Sequence, residues 1–279
     1  LENKEVGGKK AIDYFVDDNK ISDHMVLADM KLAGTIPTDV VLFNIDSKSE
    51  VNGKQSKVAI VSVLQNVFNE MQGFSASNPF LADMERKLTE EGKYDLFKEK
   101  FEDNFGSTWE ESRSDFDFIQ DDVVEVLDEI DFMSIESGRN WCEKATGDYK
   151  YKVEDFAQLV KKYLDKKENN HHIVFLIDEI GQYIGDDSKL MLNLQTVTED
   201  LGTACGGKAW IIVTSQQDID SITKTKGNDF SKNLISFESE KYILFDCEIY
   251  SEFLYLHKRL RNTEYTNWIR DRKIAIKIR

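Results

Sequence analysis

Three short apolar runs dominate the hydrophobic pattern of the chain, and each predicts a buried β-strand. The runs are VVLFNI at 40–45, IVFLI at 173–177 and WIIVT at 210–214. They are continuous and rich in β-branched residues, whereas a strand with one solvent-exposed face alternates between apolar and polar positions. Continuous runs of this kind are typical of parallel strands covered by helices on both faces. The pattern therefore predicts an α/β fold with a parallel sheet.

The residues that follow the first two runs have the periodicity of helices. Apolar positions recur every three or four residues, so each segment predicts a helix packed on the sheet through one face. These positions are Val58, Val61, Leu64, Phe68 and Met71 after the first run, and Leu190, Leu194, Val197 and Leu201 after the second.

The patterns divide the chain into four segments. Residues 1–72 and 169–230 hold the predicted strands and form the two parts of the α/β core. Residues 73–168 have helical patterns and no convincing strand, which predicts a helical insertion. Residues 231–279 form a basic tail, with ten Lys and Arg against seven Asp and Glu and neither glycine nor proline.

The charge of the chain limits its partners. It has 36 Lys and Arg against 52 Asp and Glu, a formal charge of −16. Nonspecific nucleic-acid binding depends on a basic surface that neutralises phosphates, so we expect DNA to be involved only indirectly. The hydrophobic fraction of 41% is above that of charged disordered chains and predicts a packed protein.

The middle of the insertion is its most acidic part. From Ser114 to Gly138 there is no Lys or Arg, and apolar residues at helical spacing alternate with nine acids. The acids are Asp115, Asp117, Asp121, Asp122, Glu125, Asp128, Glu129, Asp131 and Glu136, and the apolar residues are Phe116, Ile119, Val123, Val126 and Ile130. Two interpretations stay open: a solvated helix face with one apolar stripe, or a surface that mimics DNA or docks a basic partner.

Several features favour the cytoplasm as the location. No window approaches the roughly 18 apolar residues of a membrane span, and the N-terminus has no apolar signal region. The three cysteines, Cys142, Cys205 and Cys247, are far apart and lack metal-like spacing, so we expect them to be small buried hydrophobes.

Two further residue pairs have structural interpretations. His171 and His172 are adjacent, so their side chains point to opposite faces of a strand and no zinc site is expected. Trp109 and Trp141 lie in helical patterns of the insertion and are expected to anchor its core.

An acidic pair follows the second apolar run and carries the strongest chemical signal. Asp178 and Glu179 come directly after IVFLI. Ligands bind at the carboxyl ends of strands in open parallel sheets. One carboxylate can hold Mg²⁺ through its water shell, and the other can orient the water that attacks a γ-phosphate. The alternative is a strand that ends in two solvated acids capping the next turn.

The third run ends in polar residues that would lie in the same crevice. Thr214, Ser215, Gln216 and Gln217 follow about 35 residues after the acidic pair. A hydroxyl there can hydrogen-bond the γ-phosphate or the attacking water, although Ser215 can equally be a helix N-cap.

This order of elements is typical of P-loop ATPases of the AAA+ and related classes, which also need a phosphate-binding loop. Gly202 to Ala209 nearly matches that loop but has Ala209 where the Mg²⁺-binding hydroxyl belongs. It also runs from a helix into a strand, whereas the loop runs from a strand into a helix. Gly206 and Gly207 are better explained as the stop of the preceding helix. Gly53-Lys54 follows a strand but lacks a glycine at the right distance before it.

Longer stretches of the chain resemble a known family. FLIDEIGQYIGDDSKLMLNLQTVTEDLGTACGGKAWIIVTSQQDIDSI, VVLFNIDSKS and KAIDYFVDD closely resemble the BrxC family of P-loop ATPases from BREX bacteriophage-defence systems, which is related to PglY. The resemblance covers about residues 1 to 230. It implies an ATP- and Mg²⁺-dependent ATPase, homo-oligomeric in its full-length parent, that works with the other components of a bacterial system that discriminates phage DNA from modified host DNA.

The resemblance also implies roles for individual residues. Asp178 and Glu179 would be the Walker B pair, with Asp178 binding Mg²⁺ through water and Glu179 catalytic, and Ser215 or Thr214 would be the polar sensor. Family members carry the phosphate loop upstream of the point where this chain starts. Residue 1 is leucine, and we expect the chain to be a piece of a longer protein. By itself, the chain should bind ATP weakly or not at all.

The tail departs from the family sequence from about Asn233. Within it, YSEFLYLHKRL predicts a helix carrying Phe253, Leu256 and Leu260, and Arg259 or Arg261 can be interpreted as an arginine finger or as part of an exposed basic end. The alternative to an ATPase fragment is a non-enzymatic module, in which the acidic insertion docks another defence component or a neighbouring protomer.

Overall fold

The computed structural model describes residues 4–17, 23–49, 59–185 and 187–214, together with three short strands at 234–236, 243–245 and 274–277. The chain divides into two compact units. One comprises Leu1–Val63 and Lys152–Arg279, and the other comprises Leu64–Tyr151. We call them the sheet unit and the helical unit.

The sheet unit contains both strands and helices, and the elements of the other unit are all helical. In chain order they are β1 (Glu5–Val6), β2 (Lys9–Lys10), α1 (Ala11–Asp17), α2 (His24–Ala33), β3 (Thr38–Asn44), α3 (Ile45–Ser49), α4 (Ile60–Met71), α5 (Pro79–Glu90), α6 (Tyr94–Phe105), α7 (Trp109–Ser112), a 3₁₀ helix (Arg113–Phe118), α8 (Gln120–Glu129), α9 (Ile135–Ala145), α10 (Val153–Asp165), β4 (His172–Asp178), α11 (Ile180–Ile184), α12 (Ser188–Cys205), β5 (Ala209–Thr214), β6 (Leu234–Ser236), β7 (Ile243–Phe245) and β8 (Ile274–Lys277).

The main sheet has the strand order β3-β4-β5-β8. Strands β3, β4 and β5 are parallel, which confirms the α/β class and the three strands predicted from the apolar runs. Strand β8 pairs antiparallel with the outer edge of β5. The hydrophobic pattern did not predict this fourth strand, because it comes from the basic tail and is only four residues long.

Helices cover one face of the parallel strands. Phe175 of β4 packs on Phe156 of α10, with 5.9 Å between the ring centroids. The inward residues on this face are all buried: Val41, Phe43, Ile173, Phe175, Ile177, Ala209, Ile211 and Val213. The predicted apolar positions of α12 are buried as well, which confirms that it packs through one face.

The opposite face of the same strands is less covered. Leu42 of β3 is 68% exposed, and its register partner Leu176 on β4 is half-buried, as is Ile212 on β5. The continuous apolar runs had predicted helices over both faces. A continuous apolar run indicates that both faces of a strand are suited to burial, but it does not specify which element packs on each face.

The helical unit has its own core, built mainly from aromatic and branched side chains of α5 to α9. Trp109 is fully buried and packs edge-on against Phe97 at 5.1 Å and Phe101 at 5.4 Å between ring centroids. Trp141 is partly buried against the same core. Both tryptophans therefore contact the core, as the sequence predicted.

The acidic run of the helical unit combines an apolar stripe with exposed acids. Val123 and Val126 of α8 are buried with Phe116 and Ile130, and Ile119 is partly buried. Most of the acids of this run are exposed. The predicted insertion, 73–168, also includes α10, which lies in the sheet unit.

A fully buried carboxylate ties the helical unit together. Glu85 Oε1 accepts hydrogen bonds from Trp109 Nε1 at 2.7 Å, Arg113 Nη1 at 2.9 Å and the Tyr94 hydroxyl at 3.1 Å. Its other oxygen accepts the Ser75 backbone N–H at 2.5 Å. Burial and the neighbouring Glu85 charge raise the pKa of Tyr94, so this hydroxyl stays a donor. Four segments of the unit are thereby fixed to one side chain.

A second carboxylate links α10 to the amino ends of β3 and β4. Asp39 Oδ2 accepts hydrogen bonds from the Tyr163 hydroxyl at 2.6 Å and from His171 Nε2 at 2.7 Å. Burial raises the pKa of Asp39, but the bonds from Tyr163 and His171 and the nearby Lys167 charge outweigh it and hold the pKa below its ordinary value.

Two of the three cysteines are described, and both are free and buried. Burial raises the pKa of Cys142 and of Cys205 to about 11 in each case, so neither is a reactive thiolate near neutral pH. Cys247 lies outside the described residues. Across the described part of the chain, none of the helices is both long and apolar enough to cross a membrane.

Replacing Asp39 tests the link between α10 and the sheet. We expect Asp39→Asn to lower the free energy of unfolding by about 2 kcal/mol at neutral pH, the scale of hydrogen bonds to a charged group. Because the folded state lowers the Asp39 pKa, this stabilisation is complete above the unfolded-state pKa and is lost as the pH falls through the folded-state pKa. Urea unfolding at several pH values measures both effects. Asp29→Asn, on the exposed side of α2, is the control, and equal stability of the two variants would contradict the assignment.

Replacing Glu85 tests the buried network of the helical unit. Glu85→Ala leaves Arg113 without its carboxylate and several buried donors without an acceptor, so we expect a loss of about 3 kcal/mol in unfolding free energy. Glu99→Gln on the exposed face of α6 should change it by less than about 0.5 kcal/mol. Urea unfolding followed by far-ultraviolet circular dichroism measures this loss. A Glu85→Ala variant as stable as the control would show that the network contributes nothing.

Candidate functional site

Polar side chains terminate three neighbouring parallel strands on the same edge of the sheet. Asn44 ends β3, Asp178 ends β4 and Thr214 ends β5. The register pairs Asn44 with Asp178 directly, and Ile177 pairs with Val213, the residue before Thr214. The carboxyl edge of the sheet therefore carries a row of three polar residues, and Glu179 follows directly after the middle one.

Hydrogen bonds connect the row from one strand to the next. Asn44 Nδ2 donates to Glu179 Oε2 at 2.9 Å, and the Glu179 backbone N–H donates to Thr214 Oγ1 at 3.0 Å. The Thr214 hydroxyl in turn donates to Asp178 Oδ1. Both members of the acidic pair are thus held by a neighbouring strand, and we call Asn44, Asp178, Glu179 and Thr214 the strand-end site.

The Asn44 amide is oriented by its second bond. Its Oδ1 accepts the Ser47 backbone N–H at 3.2 Å, which satisfies a donor in the first turn of α3. With the oxygen used in this way, the NH₂ group faces the Glu179 carboxylate. The start of α3 therefore fixes the direction of the donor that holds Glu179.

Glu179 has an unusual backbone conformation. Its φ is 61° and its ψ is 27°, in the left-handed region that side chains other than glycine rarely adopt. This conformation turns the chain from the end of β4 into α11 and aims the Glu179 N–H at Thr214. Non-glycine residues in this region cost of order 1 kcal/mol, and such strain concentrates at functional sites.

The site is open to solvent. Asp178 is exposed, whereas Asn44, Glu179 and Thr214 are half-buried. An exposed carboxylate beside a positioned hydroxyl and a second carboxylate can bind a divalent cation that keeps several of its waters, as Mg²⁺ does. No cluster of three or more His, Cys, Asp or Glu side chains suited to a metal occurs in the described part of the chain.

The structure brings together three of the four residues predicted from the sequence. Asp178, Glu179 and Thr214 are in direct hydrogen-bonded contact, and Ser215 lies outside the described residues. The sequence reasoning missed Asn44. Its signal was present, because Asn44 is the polar residue that interrupts the first apolar run just where the strand ends.

Two other sequence interpretations concern residues near the sheet. Gly206 has a φ of 58° and caps the C-terminus of α12, and Gly207 has a φ of 79°, so this segment is a helix stop and not a phosphate loop. His171 bonds Asp39, and the His172 ring stacks beside Trp210 with 6.2 Å between centroids. The two histidines have separate partners.

No protein-family model matches the chain. No solved structure matches it either.

The left-handed backbone at Glu179 predicts different stabilities for two substitutions of this residue. Glu179→Gly and Glu179→Ala both remove the carboxylate, but only glycine adopts the left-handed conformation without a steric cost. We expect the glycine variant to be more stable than the alanine variant by about 1 kcal/mol in urea unfolding. The reverse order, or no difference, would mean that residue 179 is not left-handed in solution.

Proposed function

We propose that this chain is part of a P-loop ATPase of the BrxC type from a BREX phage-defence system, and that the strand-end site binds Mg²⁺ and positions water for ATP hydrolysis. One observation carries the proposal: the acidic pair at the end of β4 is hydrogen-bonded to a hydroxyl that ends the neighbouring parallel strand. The family resemblance gives the same residues these roles.

Each residue of the site has a distinct task in this proposal. Asp178, the exposed carboxylate, holds Mg²⁺ through its water shell. The Glu179 carboxylate orients the attacking water and accepts its proton. Thr214 contacts both residues, with its hydroxyl on Asp178 and its oxygen on the Glu179 N–H, so it couples the metal ligand to the base.

Asn44 is a positioning residue in the same proposal. Its amide hydrogen-bonds one oxygen of the Glu179 carboxylate and so restricts how that carboxylate can turn. A carboxylate fixed in this way has fewer rotamers to lose when the substrate binds.

The less covered face of the sheet is suited to a phosphate-binding element. Helices of parallel α/β units run antiparallel to the strands, so a helix on the Leu42 face would begin at the carboxyl edge, beside Asp178. Helix N-termini bind phosphate through free N–H groups and the helix dipole. A strand, glycine-rich loop and helix supplied by a longer form of the chain would thus bring the phosphates to the strand-end site.

The described residues contain no such strand-to-helix glycine loop. We therefore propose that the 279-residue chain alone has little ATPase activity and weak ATP affinity, and that ATP and Mg²⁺ act in the longer parent protein. Location in the cytoplasm, a homo-oligomeric parent and indirect involvement of DNA belong to the same proposal.

The charge of the helical unit favours a second candidate function. Residues 64–151 contain 9 Lys and Arg and 22 Asp and Glu, so 9 − 22 gives −13 of the total of −16. Phe118, among these acids, is 90% exposed. An apolar side chain within a strongly acidic surface suits the docking of a basic partner, such as another BREX component or a neighbouring protomer.

ATP turnover with Mg²⁺ separates the two functions. We compare the 279-residue chain with a form extended upstream through its phosphate loop, and introduce Glu179→Gln and Asp178→Asn into each. The extended form should hydrolyse ATP, and Glu179→Gln should reduce the rate at least ~100-fold because the general base is lost. Glu99→Gln, on the exposed face of α6, is the matched control and should leave the rate unchanged.

The opposite outcome is equally clear. If neither form hydrolyses ATP while circular dichroism shows both to be folded, the ATPase proposal fails and the docking function remains. Turnover that survives Glu179→Gln would place the chemistry elsewhere.

A further inference from the structure

Asn69 of α4 carries a buried hydrogen-bond donor that the protein itself does not satisfy. The residue is 0% exposed, and its Nδ2 atom has no hydrogen-bond partner in the described part of the chain. Buried polar groups in folded proteins are paired almost without exception, with protein atoms or with ordered water, because an unpaired group is costly. The Asn69 amide therefore requires an acceptor.

The direction of the Asn69 amide follows from Arg86 of α5. Arg86 Nη2 donates to Asn69 Oδ1 at 2.7 Å, and Arg86 Nη1 donates to Asp83 Oδ1 at 3.0 Å. The guanidinium group also lies over the Phe74 ring, 5.2 Å from its centroid. A guanidinium has donors only, so the oxygen of the amide must face Arg86 and its NH₂ group must face away.

Gln65, one helical turn before Asn69, is oriented by a similar chain of bonds. The residue is 4% exposed, and its Nε2 donates to the Tyr149 hydroxyl at 3.1 Å. That hydroxyl donates to Asp83 Oδ2 at 3.3 Å, and burial raises the pKa of Tyr149, so the hydroxyl keeps its proton near neutral pH. With its hydrogen directed at Asp83, the Tyr149 oxygen accepts from Gln65. The Gln65 Oε1 atom therefore faces away from Tyr149 and is left as an acceptor.

We propose that one buried water molecule binds between these two amides, accepting from Asn69 Nδ2 and donating to Gln65 Oε1. Side chains four positions apart on a helix are neighbours on one face, so both groups can reach a single water. The water completes a closed ring that runs from Asp83 through Arg86, Asn69, the water, Gln65 and Tyr149 back to Asp83. All five residues belong to the helical unit, so the inference is independent of the strand-end site and of the proposed ATPase function.

The two remaining groups select water over an ion. An anion would be attracted by Asn69 Nδ2 but repelled by the Gln65 oxygen, and a cation would meet the reverse arrangement. Arg86 and Asp83 already neutralise each other in an ion pair at 3.0 Å. A small neutral molecule that both accepts and donates is required, and buried waters typically satisfy polar groups of this kind. The ring then fastens α5 and Tyr149 to α4.

NMR of the full chain, with nitrogen-15 in its Asn and Gln side chains, tests the site. A bound water should give cross-peaks to the Asn69 Nδ2 hydrogens that have opposite signs in NOESY and ROESY spectra, whereas hydrogen exchange gives the same sign in both. Asn69→Leu identifies the signal by its loss. Gln65→Leu removes the acceptor and should abolish the water cross-peak. Gln72→Leu is the matched control and should keep it, because the Gln72 side chain bonds the Phe68 carbonyl within α4 and lies outside the ring.

Oxygen-17 relaxation dispersion measures the same water without relying on protons. The amplitude from long-lived waters should fall by the equivalent of one molecule in Gln65→Leu and stay unchanged in Gln72→Leu. A wild-type chain with no water cross-peak at Asn69 would overturn the proposal, and this result does not depend on the folding of any variant. Equal dispersion amplitudes in the wild type and a folded Gln65→Leu variant would overturn it too, and would favour a direct bond from Asn69 Nδ2 to Gln65 Oε1.

Discussion

The parallel register of β3, β4 and β5 is the constraint on which the candidate site depends. Side chains alternate between the faces of a strand, so a slip of one residue between β3 and β4 would move Asn44 away from Asp178 and invert the burial of every β3 residue. The buried residues Val41 and Phe43 oppose such a slip because it would bring them to the exposed face. The same apolar packing that stabilises the sheet therefore sets the distances between polar groups at its carboxyl edge. Asp39, bonded to Tyr163 and His171 at the amino edge, adds a polar restraint on the same pair of strands.

The strand-end site depends both on local sequence, which supplies its polar residues, and on strand pairing, which brings them together. Local sequence ends each strand in a polar residue and places α3 so that it orients the Asn44 amide. Only the pairing of strands brings these residues into one network, since Asn44 and Glu179 are 135 positions apart in the chain. The left-handed backbone at Glu179 is tolerated because its N–H gains an acceptor on Thr214. Glu179, the proposed general base, therefore combines a strained backbone with a hydrogen bond to the neighbouring strand.

Much of this could be predicted from the sequence, for physical reasons that also explain what could not. The three strands, the buried positions of α12 and the proximity of Asp178, Glu179 and Thr214 all follow from continuous apolar runs ending in polar residues. Asn44 escaped notice because a single amide at a strand end is common, and its role depends on a register that sequence alone does not fix. Strand β8 was missed because four residues within a charged tail carry no periodic signal. The fully buried Glu85 was also not foreseen, since its burial is compensated by donors from Trp109, Tyr94 and Arg113 that lie elsewhere in the chain.

The central claim is that three strand ends form one site for a divalent cation, and Mn²⁺ tests it most directly. Mn²⁺ substitutes for Mg²⁺ at oxygen ligands and broadens the NMR signals of nearby nuclei. Titrating it, together with ATP, into the form extended upstream should broaden the amide signals of Asn44, Asp178, Glu179 and Thr214 most strongly, and should broaden those of Asp39, His172 and Ala209 at the amino edge of the same strands far less. The broadening at all four residues should disappear in Asp178→Asn. Broadening confined to the acidic surface of the helical unit, with the strand-end signals unchanged, would contradict the claim.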